Sequence, residues 1–311
     1  MPSLTGISAA IGGAMLAAIR IAQRRKLAVR RREHRDRRGR ITPYLELGHA
    51  RRGTLVWLHG FSDRPDTFLR AAASLHRDYR IVAPALPGFH EGWLDPSARH
   101  TFGAYAEWLA EVVADLGGDR FHVMGNSLGG AIALALATRM PERVISVAPV
   151  NNAGVRLTDV RCIASELEAG ANLFEVRTEQ DYARFVERIF AGPVKVPRPI
   201  ADHLFRELRG RADWYARVMG ELVQTERIVD DPRWSEYVDL RNVRVPALVI
   251  WGEHDTLFPL AHGRHIAEMV PGAELHVIER CGHCPHLERP AALARAWADF
   301  AARVETQRAS A

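Results

Sequence analysis

The sequence predicts an α/β fold: a mostly parallel central sheet flanked by helices on both faces, with a helical cap inserted into it. Three observations carry that expectation. From Ile41 onwards short β-rich runs alternate with helical stretches. Several of those runs are almost continuously apolar, as strands buried on both faces must be. One interval, 151–243, breaks the alternation with helical stretches alone.

Taken in order, the first element is a run of eighteen uncharged residues, Pro2 to Ile19. As a helix it spans roughly 27 Å at about 1.5 Å per residue, close to the hydrocarbon thickness of a bilayer. Its richness in Ala and Gly makes it a marginal spanning helix. A cleavable secretory signal carries its positive charges before the apolar run, whereas here they follow it. Arg20, Arg24, Arg25 and Lys26 on the trailing side place the remaining chain in the cytoplasm by the positive-inside rule. The competing expectation is a soluble amphipathic or disordered leader.

Between Arg20 and Arg40 stand eleven Lys and Arg against Glu33 and Asp36, a local net of +9. Set against +5 for the whole chain, that leaves about −4 for everything else. The basicity therefore belongs to one segment, read as a flank on anionic lipid headgroups or a solvated tail, and residues 2–40 are the expected membrane contact. A mildly acidic body argues against a nucleic-acid partner. Three cysteines in 311 residues cannot make a disulfide framework and suit a reducing compartment.

Strands are expected at 42–47, 54–60, 79–85, 121–125, 143–150, 247–252 and 274–279, with helices at 101–117, 128–140 and 291–304 between and after them. The cap holds helical stretches at 181–190 and 212–224. Its aromatic residues Phe174, Phe185, Phe190, Phe205, Trp214 and Tyr215, with Met219, read mainly as packing and secondarily as a sign of an apolar substrate. The division is an N-terminal segment 1–40, a core of 41–150 with 244–311, and the cap 151–243.

Gly125-Asn126-Ser127-Leu128-Gly129 fits G-x-S-x-G directly after one strand and at the start of a helix. In so sharp a turn the glycines let backbones pass without a Cβ clash, and Ser127 is held at the top of the sheet. His59-Gly60-Phe61 closes an early strand. An acyl-transfer enzyme holds its oxyanion with preorganised N–H donors, expected here from Phe61 and from Leu128. Asp255, in WGEHDTLFP after another strand, is the carboxylate placed to orient a base; Glu253 is its rival.

Cys281-Gly282-His283-Cys284 admits two readings. A redox Cys-x-x-Cys opens a helix early in its domain, but only 27 residues follow Cys284. A zinc site from Cys281, His283, Cys284 and His286 lacks a second ligand pair at the right spacing. His283 instead follows the last strand as the base of the order Ser127, Asp255, His283. His286 competes for that role, and is otherwise expected to pack beside Leu287 and cap the final helix.

HGFSDRPDTF, APALPGF, GNSLGG, WGEHD and GHCPHLERP, spread over residues 41–304, resemble the α/β-hydrolase superfamily. Within it the chain is most similar to membrane-anchored monoacylglycerol lipases and related bacterial lipases and esterases. The resemblance implies Ser127 as nucleophile, Asp255 as acid, His283 as base, and Phe61 with Leu128 as oxyanion donors. One segment departs from the family pattern D-x-P-G-x-G, with Ala85 for the acid and His90 for the last glycine, which bears on pocket form. The implied reaction is ester hydrolysis through an acyl-enzyme, with no metal or organic cofactor. A C–C bond hydrolase of ring-cleavage products using the same triad is the runner-up, and a non-catalytic lipid-binding protein is the alternative outside enzymes.

Overall fold

The computed structural model describes residues 4–155, 157, 159–224 and 239–310; residues 2 and 3 of the apolar segment and 225–238 of the expected cap lie outside the described residues. The described residues hold one eight-stranded sheet: β1 (Arg30–Arg35), β2 (Ile41–Leu47), β3 (Gly53–Leu58), β4 (Tyr79–Pro84), β5 (Phe121–Asn126), β6 (Val144–Val150), β7 (Leu248–Gly252) and β8 (Glu274–Ile278). Their order across the sheet is β1-β2-β4-β3-β5-β6-β7-β8. From β4 to β8 every pairing is parallel, and β1 and β2 add an antiparallel edge.

Because side chains alternate across a strand, each apolar run feeds two cores. Val56, Leu58, Val123, Val147, Val249 and Trp251 point to one face, where α3 (Phe102–Leu116), α4 (Leu128–Arg139) and α9 (Leu260–Met269) lie. Leu55, Trp57, Met124, Ala148, Leu248 and Ile250 point to the other, covered by α2 (Leu69–Leu75) and α11 (Pro290–Ala309). The described part of 151–243 folds between β6 and β7 as α5 (Ile163–Glu168), α6 (Glu179–Ile189), α7 (Arg198–Gly210) and α8 (Ala212–Gln224).

Two departures from the sequence reading concern the N-terminal segment. The arginine run is not a tail: Arg30–Arg35 forms the edge strand β1, in register Arg30↔Glu46 to Arg35↔Ile41 with β2. The sheet thus begins eleven residues before Ile41. Only His34 of this strand is buried, so no apolar alternation announces it, and a row of arginines is what keeps such an edge from pairing with another chain. Asp36 closes the hairpin, accepting from the Arg38 and Arg40 amides at 2.9 and 2.8 Å and from Arg40 Nε at 2.6 Å.

The apolar segment forms α1 (Leu4–Lys26), long and apolar enough over Gly6–Lys26, at mean hydropathy 1.4, to cross a membrane. It is neither freestanding nor disordered. One side lies on α7 through small residues: a Cβ on Gly12 would sit 1.8 Å from the Pro199 carbonyl oxygen, one on Gly13 would meet the His203 ring, and Ala9 is buried. Ser8 Oγ donates to Asp202 at 2.6 Å, and Arg24 forks onto both Asp66 oxygens at 2.5 Å. The Ala and Gly content that weakens a spanning helix is what allows this close approach. The opposite side leaves Ile7, Ile11, Met15 and Ile19 exposed.

Candidate active site

Ser127 occupies the turn between β5 and α4 with φ +53° and ψ −118°, a strained conformation for a residue with a side chain. Its neighbours dictate glycine. A Cβ on Gly125 would fall 2.2 Å from the Gly129 carbonyl oxygen, and one on Gly129 would fall 2.3 Å from that of Leu58. The turn is pinned by Ser127 N–H to the Val150 carbonyl at 2.9 Å and by the Asn126 amide, which donates to the carbonyls of Val150 and His283 at 3.2 and 3.0 Å.

Asp255 follows β7 and is buried; its carboxylate collects four donors. Oδ1 accepts from the Leu257 and Phe258 amides at 2.8 and 3.1 Å, and Oδ2 accepts from Asn151 Nδ2 at 2.6 Å and His283 Nδ1 at 2.8 Å. A carboxylate only accepts, so Nδ1 carries the proton and Nε2 is left with its lone pair. Asn151, at φ +44°, also accepts from the Gly252 amide at 3.1 Å. The rival Glu253 is exposed and takes the Arg280 amide at 2.9 Å, away from His283.

Phe61 and Leu128 flank Ser127. Gly60 packs so closely that a Cβ there would stand 3.3 Å from Ser127 Cβ. Among the described residues neither the Phe61 nor the Leu128 N–H has an acceptor. His59 is scaffolding: Nδ1 donates to the Gly60 carbonyl at 2.8 Å and Nε2 accepts from the Leu86 amide at 3.0 Å. Burial holds it at a pKa of about 4, hence neutral. His90, the departure from the family pattern, braces the same loop, with Nε2 donating to the Ser62 carbonyl at 2.8 Å and Nδ1 accepting from Arg64 at 2.6 Å.

Ser127 lines two chambers. The smaller, about 60 Å³, is walled by Phe102, Val155, Ile163, Met219 and Leu222. The larger, about 360 Å³, also holds His283 and is walled by Phe174, Phe185, Ile189 and Leu208 of the helical insertion; Leu16, Ile19 and Arg20 of α1 stand at its rim. Phe61 and Phe174 line both chambers with their rings tilted at 4.5 Å between centroids, and Tyr215 meets Phe61 edge-on at 5.3 Å. Among the described residues no hydrogen bond joins Ser127 to His283; both side chains face the same space.

This arrangement has relatives. The α/β hydrolase family model matches residues 55–296. The chain belongs to the α/β-hydrolase family. It is 26% identical over 266 residues to Lipase 1 of Psychrobacter immobilis (85% of this chain, 82% of that one). Over 261 residues it is 27% identical to a monoacylglycerol lipase of Rattus norvegicus (81% and 76%). Among solved structures, a membrane phospholipase A described as a bacterial virulence factor superposes with TM-score 0.86 at 28% identity, over 94% of this chain and 92% of that one.

The redox reading of the cysteine pair, already disfavoured by the sequence, finds no support in the structure, and one expectation, that His286 caps the final helix, needs correction. Cys281 and Cys284 are free, and burial first, then nearby carboxylates, push both thiols well above the usual range. That is the opposite of what a redox Cys-x-x-Cys requires. His286 does not cap α11; Arg289 precedes that helix without a side-chain cap. It is fully buried, 5.4 Å from the Trp57 ring, with Nε2 3.3 Å from Asp63 Oδ2, an electrostatic approach rather than an aligned hydrogen bond. Sequence reasoning missed Asn151 and α1 at the cavity. The pair Asn151-Asn152 after an apolar strand was the available signal for the first; nothing local signals the second.

Proposed function

We propose that this α/β hydrolase is a membrane-associated serine lipase or esterase that cleaves carboxylic esters of lipids such as monoacylglycerols. The observation that carries the reading is the strained Ser127 facing a largely apolar cavity shared with a His283 whose Nδ1 is tied to Asp255 at 2.8 Å. In the mechanism, Ser127 Oγ attacks the ester carbonyl carbon as its proton passes to His283 Nε2. The oxyanion accepts from the Phe61 and Leu128 amides, which have no other acceptor among the described residues. Asp255 fixes the imidazole tautomer and stabilises the imidazolium. Collapse expels the alcohol, which takes the proton from His283, and water then attacks the acyl-enzyme with His283 again as base.

Relatives named lipase and monoacylglycerol lipase support an ester of a lipid, and the phospholipase described as a membrane protein supports the location. α1 supplies the contact: small residues face α7, isoleucines and Met15 face outward, and Arg24, Arg25 and Lys26 close its C-terminal turn. By the positive-inside bias the catalytic residues lie on the cytoplasmic side. Turnover of monoacylglycerols of graded chain length, set against a dienol diketo acid, tests the substrate class. Ester hydrolysis without cleavage of the diketo acid is expected, and the reverse would overturn the proposal.

A further inference from the structure

The rim of the larger chamber is crowded with charge, and most of it is spoken for. Asp66 is held by Arg24 through both oxygens at 2.5 Å. Glu207 takes Arg64 at 3.0 and 3.2 Å. Asp63 faces His286 at 3.3 Å and accepts from the Thr67 hydroxyl at 2.9 Å. That leaves Arg20, in the last turns of α1, which among the described residues has no hydrogen bond and no ion pair. Arg70, on the same rim, donates to the Leu287 carbonyl at 3.1 Å and among the described residues meets no carboxylate.

Arg20 is not a solvated surface arginine. It is half-buried, and burial followed by the neighbouring Arg64 guanidinium lowers its pKa, only partly offset by Asp66 and Glu207, which are themselves held by Arg24 and Arg64. A guanidinium keeps its proton at neutral pH regardless, so the unfavourable setting is relieved by an added anion rather than by deprotonation. Its five donors suit a phosphate or carboxylate in a forked contact. Leu16 and Ile19 stand beside it on α1, and the same space runs to Ser127.

We infer that Arg20, assisted by Arg70, is a binding site for the anionic head group of the ester substrate, so that the enzyme selects anionic amphiphiles, phosphate-bearing lysolipids above all, over neutral monoacylglycerols. The inference rests on Ser127 acting as the nucleophile. The acyl chain occupies the apolar chamber, the ester lies at Ser127, and the head group meets α1 at the rim. The helix that carries the membrane-facing isoleucines thereby also reads the head group as the lipid enters.

The matched substrates are 1-lauroylglycerol and 1-lauroylglycerol 3-phosphate, which differ only by the phosphate. Arg20→Gln is expected to lower the ratio of kcat/KM, phosphate over neutral, by about tenfold or more, the scale of one lost charge-assisted contact. Arg20→Lys is expected to restore part of it, and Arg25→Gln, an exposed arginine of the same helix, to leave the ratio within about twofold. Because Arg20 has no hydrogen bond or ion pair among the described residues, its replacement spares the α1 docking. A ratio that moves no more in Arg20→Gln than in Arg25→Gln overturns the head-group site. Dodecyl phosphate is expected to inhibit the wild type far better than inorganic phosphate; equal inhibition would make the ligand a free anion and overturn the amphiphile. Fluorophosphonate labelling of Ser127 separates the two readings: no labelling in folded protein sinks the serine-hydrolase proposal, whereas labelling with an unmoved ratio sinks this inference alone.

Discussion

On Asp255 four donors converge, and two of them, Asn151 and His283, share a single oxygen. That oxygen is negative only while the residue is a carboxylate. An amide at the same place presents either its oxygen or its NH₂ to Nδ1, and with the NH₂ in place the imidazole adopts the wrong tautomer. Asp255→Asn should therefore leave the fold intact, since the Leu257 and Phe258 amides retain an acceptor. It should lower kcat on the order of 10³–10⁴-fold with little change in KM. Steady-state kinetics on a short acyl ester checks this, and near-normal turnover would remove Asp255 from the mechanism. Glu253 offers no fallback, because it is exposed and occupied by the Arg280 amide.

At the scale of elements, what could be read from the sequence depended on how local the constraint is. The turn around Ser127 was legible because each glycine answers a backbone atom a few residues away or in the adjacent strand. The inner strands β3 to β7 were legible because burial on two faces writes itself as continuous apolar runs, and β2 and β8 by their half-buried alternation. β1 was hidden because an edge strand defended by arginines carries no such pattern. The docking of α1 was hidden because its partner, α7, lies nearly two hundred residues away, and the glycines that permit it look the same as those of a poor membrane helix. Gly12→Leu tests that docking: a side chain whose first carbon would lie 1.8 Å from the Pro199 oxygen must push the helices apart. Overpacking of this kind costs about 1–3 kcal/mol. A lower urea midpoint, with faster tryptic cleavage after the arginines of β1, is expected; an unchanged midpoint would mean that α1 does not rest on α7.

Across the whole molecule, five enclosed histidines share one behaviour. Burial, the largest cause in each, lowers His59 and His90 to about 4 and also lowers His100, His122 and His262. In the unfolded chain each titrates near about 6.5, so below that pH the unfolded chain binds protons that the folded protein refuses. Their contribution is fully present above about pH 6.5 and is lost as pH falls towards 4, by up to about 3 kcal/mol for His59 alone. The urea midpoint should hold between pH 7.5 and about pH 6.5 and then drop steadily towards pH 4.5. A flat profile across that window would contradict the neutral, buried state of these residues, and with it the bracing of the Gly60–Arg64 loop by His59 and His90.

In the proposed hydrolase one strained serine, facing an apolar cavity of about 360 Å³, does the chemistry. The most direct measurement is hydrolysis of a lauroyl ester by wild type and by Ser127→Ala, with both proteins shown to be folded by their urea midpoints. Saturable turnover in the wild type that falls to background in Ser127→Ala is the predicted result. Turnover that survives in Ser127→Ala would mean that another group attacks the ester.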